Sequence, residues 1–327
     1  MRIGVTGASG MVGINVCKEI LKNGDQLNIL IREDVSYFDK LSCNKFYGDL
    51  NDINTLEKFC DGCDVIIHSA AMISIGFDVY DKVYEVNYTG TKNILDVSIK
   101  KKVKKFIFIS TVNAYNKKPI HQTFDENREL VKKGNSYDVT KALAQELVIS
   151  SDGIETVSIN PTSVLGKNDF KPSRLGKIIK GIHSGKLPFL VDGGLDVIDV
   201  EDLSKAIYNS INNGKNGHSY LISGKFRSFK EIHQIIKKYQ EKKSKVFFFP
   251  RLMVKLSLPL LSLFPIGLLK RAAEINGKLF PGLENMTKEA IENIINFPKL
   301  IDNSKAKKEL KLKISPLEKT IKDTIYE

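Results

Sequence analysis

The chain has 327 residues, of which 42% are hydrophobic, so it can bury a sizeable core in one large domain or two closely packed ones. Its 50 Lys and Arg residues outnumber its 38 Asp and Glu residues, which gives a formal net charge of +12. Because this charge is spread along the chain, it favours solvated surfaces and argues against a nucleic-acid partner.

The four cysteines are too few for a disulfide scaffold in a chain of this length. Cys60 and Cys63 form a C-x-x-C pair, but redox or zinc chemistry would need an activated thiolate or a second ligand pair. Cys17 and Cys43 are isolated in the sequence. We therefore interpret the cysteines as structural, and we predict no metal because the five histidines lack metal-ligand spacing.

The beginning of the chain predicts no signal peptide, since an apolar, strand-like stretch starts at residue 1 and leads into a glycine turn. The longest uncharged apolar stretch, Leu256 to Leu269, is too short to span a bilayer and contains Pro259 and Pro265. We expect a cytoplasmic protein without a transmembrane segment.

The first 160 residues alternate short apolar runs with longer amphipathic ones, a pattern typical of a parallel sheet covered by helices on both faces. Strands are predicted at Met1–Thr6, Gln26–Arg32, Val65–His68, Phe106–Ser110 and Thr156–Ile159. Helices are predicted at Met11–Asn23, Tyr80–Lys100 and Ser136–Ser150. The predicted fold class is α/β, with a doubly wound parallel sheet of the Rossmann type.

The pattern is looser after Pro161. Further helices are predicted at Ser173–Ser184, Asp202–Asn212, Ser228–Glu241, Thr287–Ile295, Ser304–Leu310 and Pro316–Ile325, and short strands at Pro188–Leu190 and Ser219–Ile222. We expect a dinucleotide-binding domain over residues 1–165 and a smaller, mostly helical substrate-binding lobe over 166–327. Elements at about 195–225 are expected to return to the first domain.

A glycine-rich turn between the first strand and the first helix predicts the cofactor site. The glycines fall as G-x-x-G-x-x-G, so the backbone can approach a pyrophosphate closely. The following helix directs its free N–H groups and positive dipole end at the phosphate. The cofactor residues expected in this turn are Gly7, Ser9, Gly10, Met11, Val12 and Gly13.

The end of the second strand indicates which dinucleotide binds. NAD-binding sheets carry an acidic residue there, which holds the ribose 2′-hydroxyl. This chain has Arg32, whose guanidinium suits a 2′-phosphate, although Glu33 and Asp34 follow it. We therefore expect NADP rather than NAD.

A Y-x-x-x-K motif on a predicted helix indicates acid–base chemistry. Tyr137 and Lys141 are four residues apart and share one helix face. The ammonium group of Lys141 is expected to lower the pKa of Tyr137, which makes the phenol a proton donor and acceptor. Thr111 follows the fourth strand, at the edge where parallel sheets bind ligands, and its hydroxyl would hold a substrate oxygen.

Several motifs occur in the order of a known family. They are the glycine turn, Tyr47–Leu50, Ile66–Ala71, Asn87–Thr91, Ser110–Thr111, Tyr137 with Lys141, Asn160–Pro161, Val197–Asp202 and Asp302–Ala306. With these motifs the chain resembles, over nearly its whole length, the extended short-chain dehydrogenase/reductases, also called the NAD-dependent epimerase/dehydratase family. It is most similar to the dihydroflavonol reductase and 3β-hydroxysteroid dehydrogenase branch.

The resemblance implies further roles for residues of this chain. Asp49 and Leu50 would contact the adenine, and Ala70 and Ala71 would line the cofactor cleft. Lys141 would also hold the nicotinamide ribose. The remaining residues with implied cofactor contacts are Pro161 and Val164 at the nicotinamide amide and Ser173 at a phosphate. The triad Thr111, Tyr137 and Lys141 is complete.

Two departures from relatives narrow the activity. Sugar dehydratases of the family have Asp-Glu after the catalytic Thr, whereas Val112 and Asn113 follow Thr111 here, which argues against a dehydratase. Epimerases that retain NAD usually carry an acid at the position of Arg32, which argues less strongly against an epimerase.

The C-terminal half is expected to supply the substrate pocket. Its apolar stretch from Val246 to Leu269 permits three interpretations: a roof over a hydrophobic ketone, a peripheral membrane patch flanked by basic residues, or ordinary core packing. Sugar nucleotides stay open because Arg174, Lys177 and Lys180 could clamp a pyrophosphate.

The sequence as a whole predicts an NADPH-dependent reductase of a small-molecule ketone. A nucleotide-sugar epimerase with tightly held NAD is the nearest alternative. A cofactor-sensing or RNA-binding protein on the same scaffold is a second alternative, disfavoured because Tyr137 and Lys141 are both present. We expect a monomer or a homodimer, the latter through the helices that begin at Tyr80 and Ser136.

Overall fold

A computed structural model describes residues 1–74, 80–240, 245–253 and 288–326. The apolar stretch Leu256–Leu269 and the predicted helix start at Thr287 lie outside these residues. Strands are β1 (Arg2–Thr6), β2 (Gln26–Ile31), β3 (Asn44–Tyr47), β4 (Val65–His68), β5 (Lys105–Ile109), β6 (Glu155–Pro161), β7 (Ser163–Leu165), β8 (Phe189–Val191), β9 (Gly194–Asp199), β10 (His218–Ile222), β11 (Lys225–Ser228) and β12 (Phe247–Phe249).

The described helices cover both halves of the chain. They are α1 (Met11–Lys22), α2 (Ile53–Cys60), α3 (Tyr80–Tyr84), α4 (Gly90–Lys100), α5 (Ser136–Ile149), α6 (Arg174–His183), α7 (Val200–Asn213), α8 (Phe229–Lys237), α9 (Lys288–Ile295), α10 (Ser304–Glu309) and α11 (Leu317–Tyr326). A π-helical segment, Glu85–Thr89, joins α3 to α4, and short 3-10 turns occur at Ser36–Lys40 and Val112–Ala114.

The central sheet has seven strands in the order β10-β6-β5-β4-β1-β2-β3, and every neighbouring pair is parallel. Its inner strands are buried on both faces, as their continuous apolar sequences require. The α/β fold class with a Rossmann-type sheet, predicted from sequence, is therefore confirmed.

Two apolar layers cover the sheet. On one face, α1 and α7 pack against β1, β2 and β6, with Ile14, Leu203 and Ile207 almost fully buried. On the other face, α2, α4 and α5 pack through side chains such as Leu56 and Ile94. Each buried aliphatic side chain of this kind contributes about 1.5–3 kcal/mol, so these two layers fix the sheet that carries the site.

The second half of the chain contributes to both parts of the molecule. Strand β10 is the edge strand of the central sheet, and α7 packs on α1. A separate cluster joins α6, α8 and α11 around Ile179, Ile232 and Ile321. Two small sheets accompany it, in the orders β11-β9-β7 and β12-β8. The boundary at residue 165 stays a prediction.

Several local features differ from the sequence-based expectations. Strand β3 and helix α2 were not predicted, because β3 is a partly exposed edge strand and α2 has a polar outer face. Asp52 starts α2 by accepting a hydrogen bond from the Thr55 backbone N–H at 3.1 Å. The predicted helix Tyr80–Lys100 is continuous but has its π-helical segment in the middle.

The cysteines are free thiols in apolar surroundings. Cys60 and Cys63 are buried, and burial raises their pKa values to about 12 and about 11. The Cys63 thiol donates to the Phe59 carbonyl at 3.3 Å. Thiols with raised pKa values are poor nucleophiles, which agrees with a structural role for this pair.

Candidate active site

The crevice between β1 and β4 is the point at which the strand order reverses. The chain passes from β1 outward to β2 and β3, and then returns to β4 on the other side of β1. Ligands of open α/β sheets bind at this point, beyond the carboxyl ends of the strands. The loops after β1 and β4 meet here: a Cβ on Gly7 would lie 2.6 Å from the Ala70 backbone nitrogen.

The glycine turn leaves the start of α1 open for a phosphate. A Cβ on Gly13 would lie 2.1 Å from the Gly7 carbonyl oxygen, so the turn and the helix can pack this closely only without a side chain. A Cβ on Gly10 would meet nothing nearer than 3.5 Å. Gly10 is the exposed N-cap of α1, which has neither a side-chain cap nor an acidic residue in its first turn. This arrangement fits a pyrophosphate.

The remaining turn residues and the residues expected near the adenine lie along the same edge. Ser9, Met11 and Val12 are partly buried around the start of α1. Arg32 follows β2, is exposed, and makes no hydrogen bond or ion pair within the described part of the chain. Asp49 is exposed beyond β3 and accepts a hydrogen bond from the Asn51 backbone at 2.8 Å.

Leu50 is positioned by helix packing: a Cβ on Gly90 would lie 2.7 Å from its side chain. Its expected contact with adenine, like the contacts expected of the other cofactor residues, stays a prediction.

A buried polar network, which sequence reasoning missed, fixes the loop that contains Ala70 and Ala71. Asn87 accepts a hydrogen bond from the Met72 backbone at 2.7 Å and donates to the Met72 carbonyl at 3.0 Å. Asn87 also donates to the Thr140 hydroxyl at 3.1 Å, which links this loop to α5. The loop and α5 are therefore held in a fixed position relative to each other.

His68 connects this network to the first strand. Thr91 donates its hydroxyl proton to the Asn87 carbonyl, so it must accept from His68 Nε2, which lies 2.9 Å away. His68 Nδ1 then accepts from the Thr6 hydroxyl at 2.6 Å. Burial and the nearby charge of Lys141 lower the pKa of His68 to about 3. A neutral histidine here is structural, and the sequence showed His68 only as part of the Ile66–Ala71 motif, without this role.

Thr111, Tyr137 and Lys141 come together at the carboxyl end of β5. Thr111 is buried, its hydroxyl accepts a hydrogen bond from the Asn113 backbone at 3.2 Å, and it lies near the phenol of Tyr137. Asn135 caps α5 by accepting from the Asp138 backbone at 2.8 Å, so the helix starts at Ser136, one residue before Tyr137. Lys141 lies one turn further, 1% exposed, and donates to the Ile109 carbonyl at 2.7 Å.

The electrostatics of this group differ from the expectation for Lys141. Burial raises the pKa of Tyr137 above its ordinary value, and the charge of Asp138 raises it further. The interaction with the Thr111 side chain lowers this pKa and so opposes the rise. Burial also lowers the pKa of Lys141 to about 7. The Lys141 ammonium group donates a hydrogen bond to the Ile109 carbonyl and lies 4.0 Å from the centre of the Phe108 ring. The phenol is therefore held in its protonated form.

The hydrogen-bond capacity of Lys141 also bears on cofactor binding. Within the described residues its contact with Ile109 is its only hydrogen bond, so an ammonium with three donors retains donors for ribose hydroxyls. Nearby, the buried Ser110 hydroxyl has no hydrogen-bond partner among the described residues. Both observations fit a polar ligand at this edge.

Asn160 fixes the backbone of Thr111. Its amide nitrogen donates to the Thr111 carbonyl at 3.0 Å and to Gln145 Oε1 at 2.6 Å. Gln145 in turn donates to the Tyr115 hydroxyl at 2.9 Å. These buried hydrogen bonds fix Asn160, at the end of β6, relative to Thr111 and Gln145.

The other residues with implied cofactor contacts follow β6. Pro161 is buried, and Val164 is partly buried in β7. The Ser173 hydroxyl caps α6 by accepting from the Gly176 backbone at 3.0 Å, and it donates to Asp169 at 2.7 Å. A phosphate contact by Ser173 would have to share these bonds, and it stays a prediction.

Fold and site together define a dinucleotide-binding α/β enzyme. The family model for the NAD dependent epimerase/dehydratase family matches residues 3–223, and the chain belongs to this family. It is an NAD(P)-dependent oxidoreductase of the extended short-chain dehydrogenase/reductase type. The resemblance inferred from sequence is therefore confirmed.

Individual relatives have varied names. Sterol demethylase protein B of Methylococcus capsulatus is 27% identical over 235 residues, 70% of this chain and 72% of that protein. A putative dihydroflavonol 4-reductase of Synechocystis is 31% identical over 206 residues, 61% of this chain and 60% of that protein. A putative UDP-glucose 4-epimerase of Methanocaldococcus jannaschii is 27% identical over 250 residues, 71% of this chain and 80% of that protein.

Among solved structures, the protein gox2253 aligns with a TM-score of 0.81 at 24% identity, over 99% of this chain and 96% of that one. This likeness concerns the fold. Within the described residues, no helix has the length and apolar character needed to cross a membrane.

Proposed function

We propose that the protein is an NADPH-dependent reductase of a hydrophobic ketone. The observation that carries the proposal is the Thr111 hydroxyl near the Tyr137 phenol, with Lys141 one helical turn away, at the strand edge that also carries the open glycine turn. A carbonyl oxygen between the two hydroxyls would receive a proton from one and a hydrogen bond from the other.

Tyr137 acts as the general acid in this proposal. Because burial raises its pKa, the phenol remains protonated at neutral pH and can donate to the oxygen that gains charge during reduction. Thr111 positions that oxygen, and its own backbone is fixed by Asn160. When NADPH is bound, its nicotinamide supplies the hydride that the carbonyl carbon receives.

Lys141 has two tasks in the proposal. Its ammonium would hold the nicotinamide ribose with the donors that Ile109 leaves free. With a pKa of about 7, it would also resupply a proton towards Tyr137 after each turnover. The other groups proposed to hold the cofactor are Gly7, Ser9, Gly10, Met11, Val12, Gly13, Arg32, Asp49, Leu50, Ala70, Ala71, Pro161, Val164 and Ser173.

A hydrophobic substrate is supported by two observations. Strand β12 and the residues after it expose several large apolar side chains: Phe247, Phe249, Leu252 and Met253. A cluster of exposed apolar side chains is typical of a surface that binds an apolar partner or ligand. Relatives with names that refer to sterols and dihydroflavonols are 27% and 31% identical to this chain over the aligned residues. We propose a ketone on a ring system of this apolar kind.

The experiment compares Tyr137→Phe with the wild type on a panel of cyclic ketones, with NADPH consumption as the readout. The variant should lose about a hundred- to ten-thousandfold in kcat, which is the typical contribution of a general acid, while its affinity for NADPH stays within a few-fold. Undiminished turnover would remove Tyr137 from the chemistry. Thr111→Ser, which retains a hydroxyl, serves as the matched control and should stay active.

An epimerase that retains its cofactor is the second candidate. The M. jannaschii relative supports it, because the same Tyr–Lys pair could serve a sugar hydroxyl. The exposed Arg32 disfavours it, since a retained NAD needs an acceptor for the ribose hydroxyl at that position. Stoichiometric loss of NADPH on a ketone favours the reductase, whereas a purified protein with bound NAD that interconverts UDP-sugars without net cofactor use favours the epimerase.

A further inference from the structure

The loop after β2 places acidic side chains beside Arg32, the residue on which the proposed NADP preference depends. Glu33 and Asp34 follow it directly. A carboxylate in this region repels a phosphate dianion, and it is also the group that accepts the ribose 2′-hydroxyl in NAD-binding sheets. The loop therefore contains residues that favour each of the two dinucleotides.

Asp34 is not directed at Arg32, however, because side chains of β3 bind it. Lys45 Nζ donates to both Asp34 carboxylate oxygens, at 3.1 and 2.9 Å. The Tyr47 hydroxyl donates to the same carboxylate at 2.9 Å. Lys45 also reaches Asp39 at 3.0 Å. These contacts hold the pKa of Asp34 below its ordinary value.

The sheet supplies this geometry. Lys45 pairs with Ile29 and Tyr47 pairs with Ile31, so both side chains leave β3 on the same face, two residues apart. Further along the loop, the Tyr37 hydroxyl donates to the Ser9 carbonyl at 3.0 Å. The loop is thus fixed to β3 on one side and to the glycine turn on the other.

We propose that Lys45 is a positioning residue that sets the cofactor specificity. It holds Asp34 against β3 and so keeps that carboxylate from pairing with Arg32 or from accepting a ribose 2′-hydroxyl. Arg32, exposed and without an ion pair in the described part of the chain, is left for a 2′-phosphate. This inference rests on the NADP preference of the proposed function, but not on the reductase chemistry.

The test is a binding cycle with Lys45→Met, Asp34→Asn and the double variant, titrated with NADPH and with NADH. Lys45→Met should weaken NADPH roughly tenfold, as expected for a carboxylate released within a few ångströms of a phosphate, and should leave NADH unchanged or tighter. Asp34→Asn should bind NADPH as well as the wild type or better. In the Asp34→Asn background, the loss caused by Lys45→Met should disappear.

The matched control is Lys100→Met. It removes the same charge from an exposed ion pair with Glu57, at the far end of α4 from the carboxyl edge of the sheet. It should bind both dinucleotides like the wild type. The deficit of Lys45→Met should also shrink at high salt, because the Asp34 carboxylate is solvent-exposed and is screened. Melting temperatures of all variants establish that each one is folded.

Two results would overturn the inference, and they differ from a failure of the reductase proposal. If Lys45→Met weakens NADPH equally in the Asp34→Asn background, Lys45 contacts the phosphate directly and does not act through Asp34. If the wild type binds NADH more tightly than NADPH, the proposed cofactor and this inference both fail. An inactive protein that still passes the binding cycle would contradict only the proposed ketone reduction.

Discussion

A methyl group at Gly13 should destabilise the protein although it lies inside a helix. In most helix interiors, Gly→Ala stabilises by about 1 kcal/mol. Here the new Cβ would lie 2.1 Å from the Gly7 carbonyl oxygen and 2.8 Å from Ala8 Cα, and these neighbours are backbone atoms that no rotamer change can move. Helix α1 would have to shift and strain the hydrogen bond from Gly10 N to Gly7 O, now 3.0 Å.

The net effect follows from these two contributions. Overpacking of a close contact costs about 3 kcal/mol, and the helix propensity returns about 1 kcal/mol, so Gly13→Ala should lose about 2 kcal/mol. For a chain of 327 residues, that is a fall in Tm of about 3 °C. Thermal unfolding by circular dichroism measures it, and a variant as stable as the wild type would refute the close-packing argument.

Gly10→Ala separates folding from cofactor binding. A Cβ at this position meets only the Gly7 oxygen at 3.5 Å, and its backbone, with φ −87° and ψ 162°, suits any residue. The variant should therefore unfold within about 1 kcal/mol of the wild type. Its methyl would nevertheless stand at the open start of α1 and should weaken NADPH at least about tenfold. Unchanged affinity in a folded Gly10→Ala variant would place the pyrophosphate elsewhere.

Two further predictions concern buried polar groups. Lys141→Met should abolish turnover yet raise Tm below pH 7. The pKa of Lys141 in the folded protein, about 7, lies below its ordinary value of 10.5, so the stability of the wild type rises with pH between these values. In thermal melts, the stability difference between variant and wild type should therefore narrow from pH 7 to 10. Asn160→Ala should lower the free energy of unfolding in urea by about 2–4 kcal/mol and lower kcat, because the Thr111 carbonyl and Gln145 lose their donor. Asn209→Ala, which removes a single hydrogen bond to the Leu310 carbonyl, is the milder control. Equal losses in the two variants would contradict the role of Asn160.

Features encoded by neighbours in the sequence could be predicted. The glycine turn, the buried parallel strands and the helix with Tyr137 and Lys141 each lie within a short segment, where spacing alone sets the geometry. The starts of α6 and α8 were predicted to within a residue, because Ser173 and Ser228 cap them, whereas the Asp52 cap of α2 was missed. The family followed from the order of such segments.

Features that depend on distant contacts could not be predicted. His68 lies between Thr6 and Thr91, which are 62 and 23 residues away, and no local pattern indicates that pairing. The contact between Lys45 and Asp34 depends on the edge strand β3, which has a polar, partly exposed sequence. Sequence spacing also could not show that the Lys141 ammonium donates a hydrogen bond to the Ile109 carbonyl.

The position of Lys141 bears on proton transfer in the proposed reaction. A lysine that lowered the pKa of Tyr137 would favour the phenolate, which is the base needed for alcohol oxidation. Here burial and Asp138 raise the pKa of Tyr137, whereas Lys141 itself releases a proton near pH 7. The acid form of the phenol is thus the resting form, and a donor of lower pKa lies one turn away. In the proposed reductase, this arrangement would supply the proton that the ketone oxygen gains when its carbon receives a hydride.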